Sequence, residues 1–265
     1  MVEFCLGYDV VNTTFFEKEH IKTLDCLNRV WNGGCLDYAF ADCHNVYSIT
    51  NINSNITSMV GTYKNCYNMT NFTEIPSSVT SISECYEGCN NATNFPTIPN
   101  SVTNVSYTYK NCSLLSVPPT IPNSVTNMSG AFMNCTNLTI VGNFPKNVTD
   151  ISHMYENCVK INGDIIINST AIINAEEFFN NTNLEKDVYI PFKYDNGVYT
   201  TTYNSFITAG YSSEYRVDGV LLMDKDENYF DVDLSDYRYE IDENKIAHLY
   251  EYIGTKNIVI QSKVY

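Results

Sequence analysis

The sequence has few positive charges and no long apolar segment. Fifteen lysines and arginines stand against 30 aspartates and glutamates, which gives a formal net charge of −15. This balance argues against binding to nucleic acid and against docking on anionic membranes. No apolar run approaches the roughly 18 residues that a membrane-spanning helix requires. The amino terminus has an acid at Glu3 and no basic segment before an apolar one, so it does not predict a secretory signal.

The motifs of common catalytic and metal sites are also missing from the sequence. It contains no glycine-rich phosphate loop and no paired C-x2-C zinc motif. The segment from Asp224 resembles an EF-hand loop, but Tyr229 stands at its glycine position and Ser235 at its final glutamate position. His44 follows Cys43, yet no third residue is evident that would orient a cysteine–histidine pair. We therefore expect no catalytic residue, no metal site and no cofactor.

Charge is distributed unevenly along the chain, and this distribution predicts its domains. Between residues 51 and 145 there are only three acids and two bases. From residue 191 to the end there are 13 acids and seven bases, as on an ordinary charged surface. We predict an amino-terminal cap at 1–35, a repeat domain at 36–191 and a carboxy-terminal cap or small α+β module at 192–265.

Six cysteines recur at a constant spacing of 23 residues. They are Cys43, Cys66, Cys89, Cys112, Cys135 and Cys158, and the next step reaches Asn181. Three residues before each of these positions is an aromatic residue, from Phe40 to Phe178, and nine residues after each is an isoleucine or phenylalanine. A constant period of this length is typical of a solenoid, because one coil cannot bury its apolar side without its neighbours.

The repeats predict an α+β, mostly β, solenoid of the leucine-rich-repeat kind, with about seven coils of 23 residues. A short strand is expected before each Ile-Pro, as in "TNFTEIP" and "LTIVGNFP", because proline there ends a strand without occupying its middle. Parallel strands of successive coils would lie about 4.8 Å apart. The return segment, such as "NSVTNMSGAF", is too short for a full α-helix and predicts a loop or a 3₁₀ turn.

The stretch "TIPNSVTNVSYTYKNCSLLSVPPTIPNSVTNMSGAFMNC" resembles the BspA-type leucine-rich repeats of bacterial surface proteins. An aromatic residue, a cysteine and an Ile-Pro pair recur in that family in the same order. The resemblance covers about residues 36–191, and its most specific part is the Ile-Pro-Asn-Ser-Val-Thr phrase at 98–103 and 121–126. It implies a leucine-rich-repeat fold, binding and surface display, and it does not imply one ligand. The chain departs from the family in being poor in leucine.

The spaced cysteines have four interpretations: a buried ladder, disulfide partners, zinc ligands or nucleophiles. Leucine-rich repeats commonly carry asparagine or cysteine at this position. The seventh position of the row is Asn181, and an asparagine would not stand in for a thiolate ligand or for a nucleophile, so it favours the buried ladder. Disulfide pairing remains open, because the Cα atoms of equivalent residues in stacked coils would lie within the Cα–Cα distance of a disulfide. Against it, the parallel side chains of a ladder point side by side and not toward each other. Pairing among Cys5, Cys26 and Cys35 also remains open. We predict a structural ladder of Cys43, Cys66, Cys89, Cys112, Cys135, Cys158 and Asn181.

Caps are expected over both ends of the repeat core. The amino-terminal cap is predicted as a helix that begins near Thr14, with a capping box to Glu17, and ends at Gly33 and Gly34. After the last coil we predict a hairpin with an Asn196-Gly197 turn. The remaining elements are expected to be strands at "GVLLM" and "YRYEI", a short helix near 243–251 and a strand at "NIVIQSKVY".

The predicted binding face is the row of side chains eight residues after each cysteine position. We call it the polar row, because most of its members carry amides or hydroxyls. Such groups suit hydrogen bonding and stacking with a saccharide or a protein more than they suit a deep small-molecule pocket. The polar row consists of Asn51, Glu74, Thr97, Thr120, Asn143, Ile166 and Tyr189.

The sequence thus predicts a non-enzymatic binding or structural module on a surface. Without a recognisable signal, a phage virion component is favoured, such as a fibre, decoration or tail-associated protein contacting the host surface or another virion protein. The alternative is a bacterial cell-surface adhesin fragment, and a hydrolase with catalysis in residues 192–265 is a third class. We expect a protein or cell-surface glycan as partner, with no nucleic acid and no membrane insertion. The oligomeric state is not predicted.

Overall fold

The described part of the chain contains short strands, one helix and many turns. The computed structural model describes residues 23–25, 34–50, 52, 55–162, 165–167, 169–182, 188–191, 201–209, 220–223, 237–241 and 247–252. The elements are β1 (Thr23–Asp25), β2 (Ser48–Thr50), β3 (Ile165–Ile166), β4 (Val188–Pro191), α1 (Thr201–Thr208), β5 (Val220–Met223), β6 (Tyr237–Ile241) and β7 (Ala247–Tyr252). Over these ranges, no helix has the length and apolar character to cross a membrane.

The strands form three small sheets. β1 pairs with β2 in parallel, and β3, β4 and β5 form a parallel sheet in that order. β6 and β7 pair antiparallel, with a register shift between Arg238 and Tyr239. Because Pro191 of β4 pairs with Met223 of β5, hydrogen-bonded strands cross the boundary that the charge distribution predicts at residue 191.

Successive coils are joined in their return segments by a row of parallel bridges, and a further parallel bridge joins Ser48 to Asn71. Each bridge joins equivalent residues of neighbouring coils, so the coils stack in register. The bridged residues of the row are, in order, Cys35, Ser58, Ser81, Asn104, Asn127, Asp150 and Asn174.

Each coil contains a run of turns whose backbone amides alternate between two kinds of partner. The amides of Gly61 and Tyr63 donate to the carbonyls of Ser83 and Cys85 in the next coil, at 2.8 and 2.9 Å. The amide of Lys64 instead donates to the carbonyl of Gly61, three residues back in its own coil. Buried amides need partners, and this alternation supplies them without a regular strand.

Two positions in every coil have a left-handed backbone, which produces this run of turns. The first is occupied by Tyr38, Gly61, Glu84, Tyr107, Gly130, His153 and Glu177. The second is occupied by Asp42, Asn65, Gly88, Asn111, Asn134, Asn157 and Asn181. The second position carries only aspartate, asparagine or glycine, which adopt a positive φ at the least cost. This conformational requirement explains the asparagine that directly precedes most cysteines of the repeat.

The last described coil is out of step with the others by one residue, and this places Asn181 outside the cysteine row. The Nδ2 of Asn181 donates to Oδ1 of Asn157, 24 residues earlier, at 2.7 Å. Both residues have a left-handed backbone. Asn181 therefore continues the row of left-handed asparagines, and the prediction that it is a rung of the cysteine ladder is wrong. The cause is one extra residue in the segment that precedes the bridge at Asn174.

The extra residue is confined to one side of the coil. The amide of Asn162 still donates to the carbonyl of Thr139, as a step of 23 residues requires. The amide of Ile173 donates to the carbonyl of Thr149, a step that is one residue longer. The insertion therefore lies between residues 162 and 173, and it displaces Phe178 from the aromatic position that the sequence assigns to it.

The strands expected before each Ile-Pro are mostly absent from the described middle coils, so the expectation of a mostly β fold is wrong there. In the coils between residues 66 and 162 these segments form no named strand, and Asn71, which pairs with Ser48, is their one residue in a bridge. Prolines explain this at Pro96, Pro118 and Pro119, because a residue without an amide hydrogen cannot donate to a neighbouring strand. β3 and β4, which do occupy this position, contain no proline before their last residue.

Two predicted helices are strands wherever the structure describes them. Thr23–Asp25, inside the predicted amino-terminal helix, is β1, and Leu24 pairs with Ile49 of β2. Ala247–Tyr252, which overlaps the helix predicted near 243–251, is β7. In both cases pairing with a neighbouring strand overrides the local helical pattern. The predicted strands at "GVLLM" and "YRYEI" are confirmed as β5 and β6, whereas the Asn196-Gly197 turn and "NIVIQSKVY" lie outside the described residues.

Helix α1, which the sequence did not predict, covers the core beside the last described coil. Phe206 is 1% exposed, and its ring lies 5.9 Å from that of Phe178. The Oγ1 of Thr202 donates to the carbonyl of Ser169 at 2.6 Å and accepts from the amide of Ile172 at 3.1 Å. These contacts bury apolar surface and pair polar groups on the last described coil, beyond which the structure describes no further run of turns.

A stack of aromatic rings runs through the core. Neighbouring centroids are 5.4–5.8 Å apart and neighbouring ring planes differ by no more than 16°. The stack ends where the register changes, because Phe178 meets Tyr155 edge-on at 65°. The stacked residues, all fully buried, are Phe40, Tyr63, Tyr86, Tyr109, Phe132 and Tyr155.

The hydroxyl groups of this aromatic stack are not all hydrogen-bonded. The Tyr63 hydroxyl pairs with Oγ1 of Thr73 at 3.1 Å, and the Tyr155 hydroxyl accepts from the amide of Gly142 at 3.1 Å. The buried hydroxyls of Tyr86 and Tyr109 have no partner. An unpaired buried hydroxyl lowers stability, whereas a paired one raises it.

We expect Tyr86→Phe and Tyr109→Phe to leave the free energy of unfolding unchanged or to raise it by up to about 1 kcal/mol, because each removes an unpaired buried hydroxyl. Tyr155→Phe should lower it by about 1 kcal/mol, since the amide of Gly142 then loses its acceptor. Urea unfolding of the three variants measures the difference. An equal decrease in the free energy of unfolding in Tyr86→Phe and Tyr155→Phe would contradict the assignment of the unpaired hydroxyls.

Candidate functional site

The cysteine row is part of the core, and its thiols are used as hydrogen-bond donors. Five of its six sulfhydryls donate to the carbonyl of the stacked aromatic residue 26 positions earlier, such as Cys66 to Phe40 at 3.0 Å and Cys158 to Phe132 at 3.0 Å. The same bond is made by Cys89, Cys112 and Cys135. A small side chain with a weak donor suits this narrow position between two coils. The sequence alone did not reveal these bonds.

Neither disulfide pairing nor nucleophilic chemistry matches the environment of these thiols. The eight cysteines among the described residues, including Cys35 and Cys85, are all free. Burial raises the pKa of Cys85 and of Cys158 from 9.0 to about 12, so the reactive thiolate is scarce at neutral pH. The Nδ1 of His44 lies 2.9 Å from the carbonyl oxygen of Asn65, and the ring stacks on Tyr67 with centroids 4.5 Å apart.

We expect the buried cysteines to resist a soluble thiol reagent at pH 8 until the protein unfolds, because both burial and a raised pKa suppress thiolate attack. A raised folded-state pKa contributes stability below the unfolded value of 9.0 and loses it as the pH rises toward about 12. The urea midpoint should therefore fall between pH 8 and pH 10.5. Rapid labelling of the native row, or a midpoint that rises with pH, would show that the thiols are accessible.

The polar row lies at the surface wherever its side chains are described. Glu74, Thr97 and Thr120 are exposed. Asn143 is exposed as well, but both ends of its amide are bound to the backbone of Ile121, at 3.1 and 2.8 Å.

The remaining three members of the polar row are described in part or not at all. Ile166 and Tyr189 pair in register between β3 and β4, while their side chains lie outside the described part. Asn51 lies outside it altogether.

Two further exposed rows lie beside the polar row, and the sequence argument missed them. One is four residues after each cysteine and contains Thr70, Thr93, Ser116 and Thr139. The other is five residues after each cysteine and contains Asn71, Asn94, Val117 and Ile140. The 23-residue alignment could have identified both rows, because they lie between two apolar positions, three and nine residues after the cysteine, that are buried. We call these two rows and the polar row together the binding face.

The binding face includes a small apolar area, which we call the central patch. It consists of Val117 and Ile140, equivalent residues of neighbouring coils whose exposed fractions are 56% and 46%. Leu114, 44% exposed, lies outside the three rows, two residues after a cysteine of the row. The amide and Oγ1 of Thr139 both donate to the carbonyl of Ser116 at 3.1 Å, which holds the two coils side by side. An apolar area framed by hydroxyls is typical of a protein interaction site.

Charge is concentrated away from the binding face, on the run of turns. Lys64 Nζ lies 2.6 Å from Glu84 and 2.9 Å from Glu87, and Lys110 Nζ lies 3.4 Å from Glu87. Burial lowers the pKa of Lys64, but hydrogen bonds to Glu84 and Glu87 outweigh it and hold that pKa above its ordinary value. These carboxylates are therefore neutralised by lysine within the fold.

Comparison with known proteins gave one family and two solved structures. A leucine-rich repeat protein from Bacteroides ovatus ATCC 8483 is 19% identical over 64% of this chain and 51% of its own, with a TM-score of 0.48. The match thus spans about half of the Bacteroides ovatus chain. The T. pallidum Leucine Rich Repeat protein is 18% identical over 74% of this chain and 87% of its own, with a TM-score of 0.48. No curated protein matched.

The family match rests on the sequence and covers most of the repeat. Six copies of the BspA type Leucine rich repeat region match, over residues 9–139, 60–185 and 106–206. These ranges cover more than half of the 265 residues and include the cysteine row, the aromatic stack and the described binding face. Repeats of this kind generally mediate binding between proteins at bacterial surfaces. The chain belongs to the BspA-type leucine-rich repeat family.

Proposed function

We propose that the chain is a non-catalytic binding module whose partner docks on the binding face. The observation that carries this proposal is the central patch, two large apolar side chains exposed side by side on neighbouring coils at the middle of a stacked, repeating surface. Exposed apolar groups rimmed by polar residues are one mark of a protein interaction site. The coils behind the face are held by backbone hydrogen bonds, so the face is rigid before binding and little ordering entropy is lost.

The chemistry of the binding face favours a protein as the partner. Among the described side chains of its three rows, Glu74 alone carries a formal charge. Burying hydroxyls and amides costs less than burying charges, provided that the partner supplies hydrogen bonds. Val117 and Ile140 would then act as apolar anchors, with the hydroxyls of Ser116 and Thr139 at their side.

A glycan is the second candidate, and exposed aromatic rings favour it. Tyr47 and Tyr67 are 42% and 41% exposed, and Tyr67 is already held parallel to the ring of His44. Such rings can stack on the apolar faces of sugars while their hydroxyls bond to water or ligand. This aromatic area lies toward the first coils, away from the central patch, so separate variants can distinguish the two candidates.

We place the module on a phage virion, as a fibre, decoration or tail-associated protein, with a bacterial cell-surface adhesin as the alternative. This placement rests on the sequence alone. Density-gradient fractionation of a culture lysate, followed by mass spectrometry, tests it directly. Cosedimentation with intact particles is the expected result, recovery only with the cell envelope would select the adhesin, and recovery free of both would overturn the surface assignment.

We expect Val117→Glu and Ile140→Glu each to weaken binding of the purified chain to whole host cells by about tenfold or more, because a charge enters the apolar anchor. Thr103→Glu is the matched control, since it adds the same charge at an exposed position outside the face. Flow cytometry with labelled protein measures the binding. Binding that survives both face variants, or falls equally with the control, would refute the assigned face.

Treating the same cells with protease or periodate before the binding assay identifies the chemical class of the partner. Protease treatment should abolish binding if the partner is a protein, while periodate oxidation of sugars should leave it intact. The reverse pattern, together with loss in Tyr67→Ala, would select the glycan and exclude the protein partner.

A further inference from the structure

Three potential metal ligands meet on the run of turns, where the last two described coils adjoin. His153 and Glu156 belong to one coil and Glu177 to the next. The Nδ1 of His153 lies 2.7 Å from Oε2 of Glu156 and 3.4 Å from Oε2 of Glu177. One donor atom from each of the three residues falls within 4.8 Å of the other two. No ligand of this set is a thiol, so the site is separate from the cysteine row.

The repeat itself shows that this cluster is unusual. Glu156 and Lys64 both stand two residues before a cysteine of the row, and Glu177 and Glu84 both occupy the first left-handed position. Lys64 and Glu84 form an ion pair at 2.6 Å. At the equivalent place Glu156 faces Glu177, so two carboxylates meet where Lys64 and Glu84 pair a cation with an anion.

Within the described residues, His153 is the one basic group that pairs with these two glutamates. Like charges that face each other across neighbouring coils repel, and a proton or a metal ion between them removes that repulsion. An imidazole nitrogen beside two carboxylate oxygens is a set of donors that can serve either role. Because the set includes nitrogen, it suits a transition-metal ion better than magnesium or calcium, which prefer oxygen.

We propose that His153, Glu156 and Glu177 bind a divalent transition-metal ion, with Zn²⁺ as the best fit. Zinc bonds to nitrogen and oxygen at about 2.0–2.2 Å, so its tetrahedral donors lie about 3.4 Å apart. The two distances from Nδ1, 2.7 and 3.4 Å, need only a small adjustment to reach this geometry. The Glu177 side chain is 48% exposed, so the fourth position opens to solvent and takes water or a partner's ligand.

The bound ion would join two coils at the place where their register changes. His153 and Glu177 lie opposite each other because both occupy the first left-handed position in adjacent coils. This explains why the sequence predicted no metal site, since no short motif contains all three ligands. The inference is independent of the binding face, which lies on another part of each coil.

Zinc titration of the full chain by isothermal calorimetry tests the site, after removal of metals with a chelator. We expect one zinc ion per chain, bound at least tenfold more weakly in His153→Asn and in Glu177→Gln. Asparagine is suited to the left-handed backbone of residue 153, so that variant keeps the fold. Glu84→Gln is the matched control, because it removes a carboxylate at the equivalent repeat position where lysine already supplies the cation.

Several outcomes would overturn the site. Unchanged zinc affinity in His153→Asn would assign the binding to thiols, which that variant retains, and equal weakening in Glu84→Gln would reduce it to general charge attraction. Zinc should also raise the melting temperature of the wild type and of Glu84→Gln but not of Glu177→Gln, since only a native site links binding to stability. Cobalt substituted for zinc should show no thiolate charge-transfer band, and such a band would contradict the proposed ligands.

Discussion

Every row in this molecule depends on the alternation of backbone hydrogen bonds between one coil and the next. The amide of Tyr63 reaches the next coil while that of Lys64 turns back on its own, and the left-handed residues set this order. Equivalent atoms of neighbouring coils are thereby held opposite each other. The aromatic stack, the thiol donors and the exposed rows all follow from that register, because each is one column of the same alignment.

The thiol hydrogen bonds couple two of these columns. The carbonyl of Phe40 accepts both from the amide of Cys43 and from the sulfhydryl of Cys66 in the following coil. A longer side chain would not fit between the coils, and an aliphatic one of the same size would leave the second acceptor position empty. The cysteine is therefore selected by a hydrogen bond inside an apolar core, and its redox and metal chemistry are suppressed by the same burial.

The buried columns could be predicted because they repeat the same residue types, as Tyr63, Cys66 and Ile75 do. The local backbone could not, since a left-handed tyrosine or glutamate such as Tyr38 or Glu84 has no sequence signature comparable to glycine. The change of register was hidden because Phe178 and Phe179 both satisfy an aromatic pattern. The polar row was predicted, whereas the rows four and five residues after each cysteine were not. Sequence alignment alone does not show which polar columns face solvent.

The single inserted residue changes the number of residues between two coils but not the distance between them. On the side of the binding face, β3 and β4 keep the regular step, so Ile166 lies opposite Tyr189. On the side of the turns, the step from Asp150 to Asn174 breaks it. The backbone hydrogen bond from Tyr155 to Phe178 across the longer step nevertheless measures 2.9 Å, as does the equivalent bond of Tyr109 between two regular coils. Because the coils keep one spacing on both sides, a long, periodic partner such as a fibre or a polysaccharide could follow the solenoid past this point without losing phase.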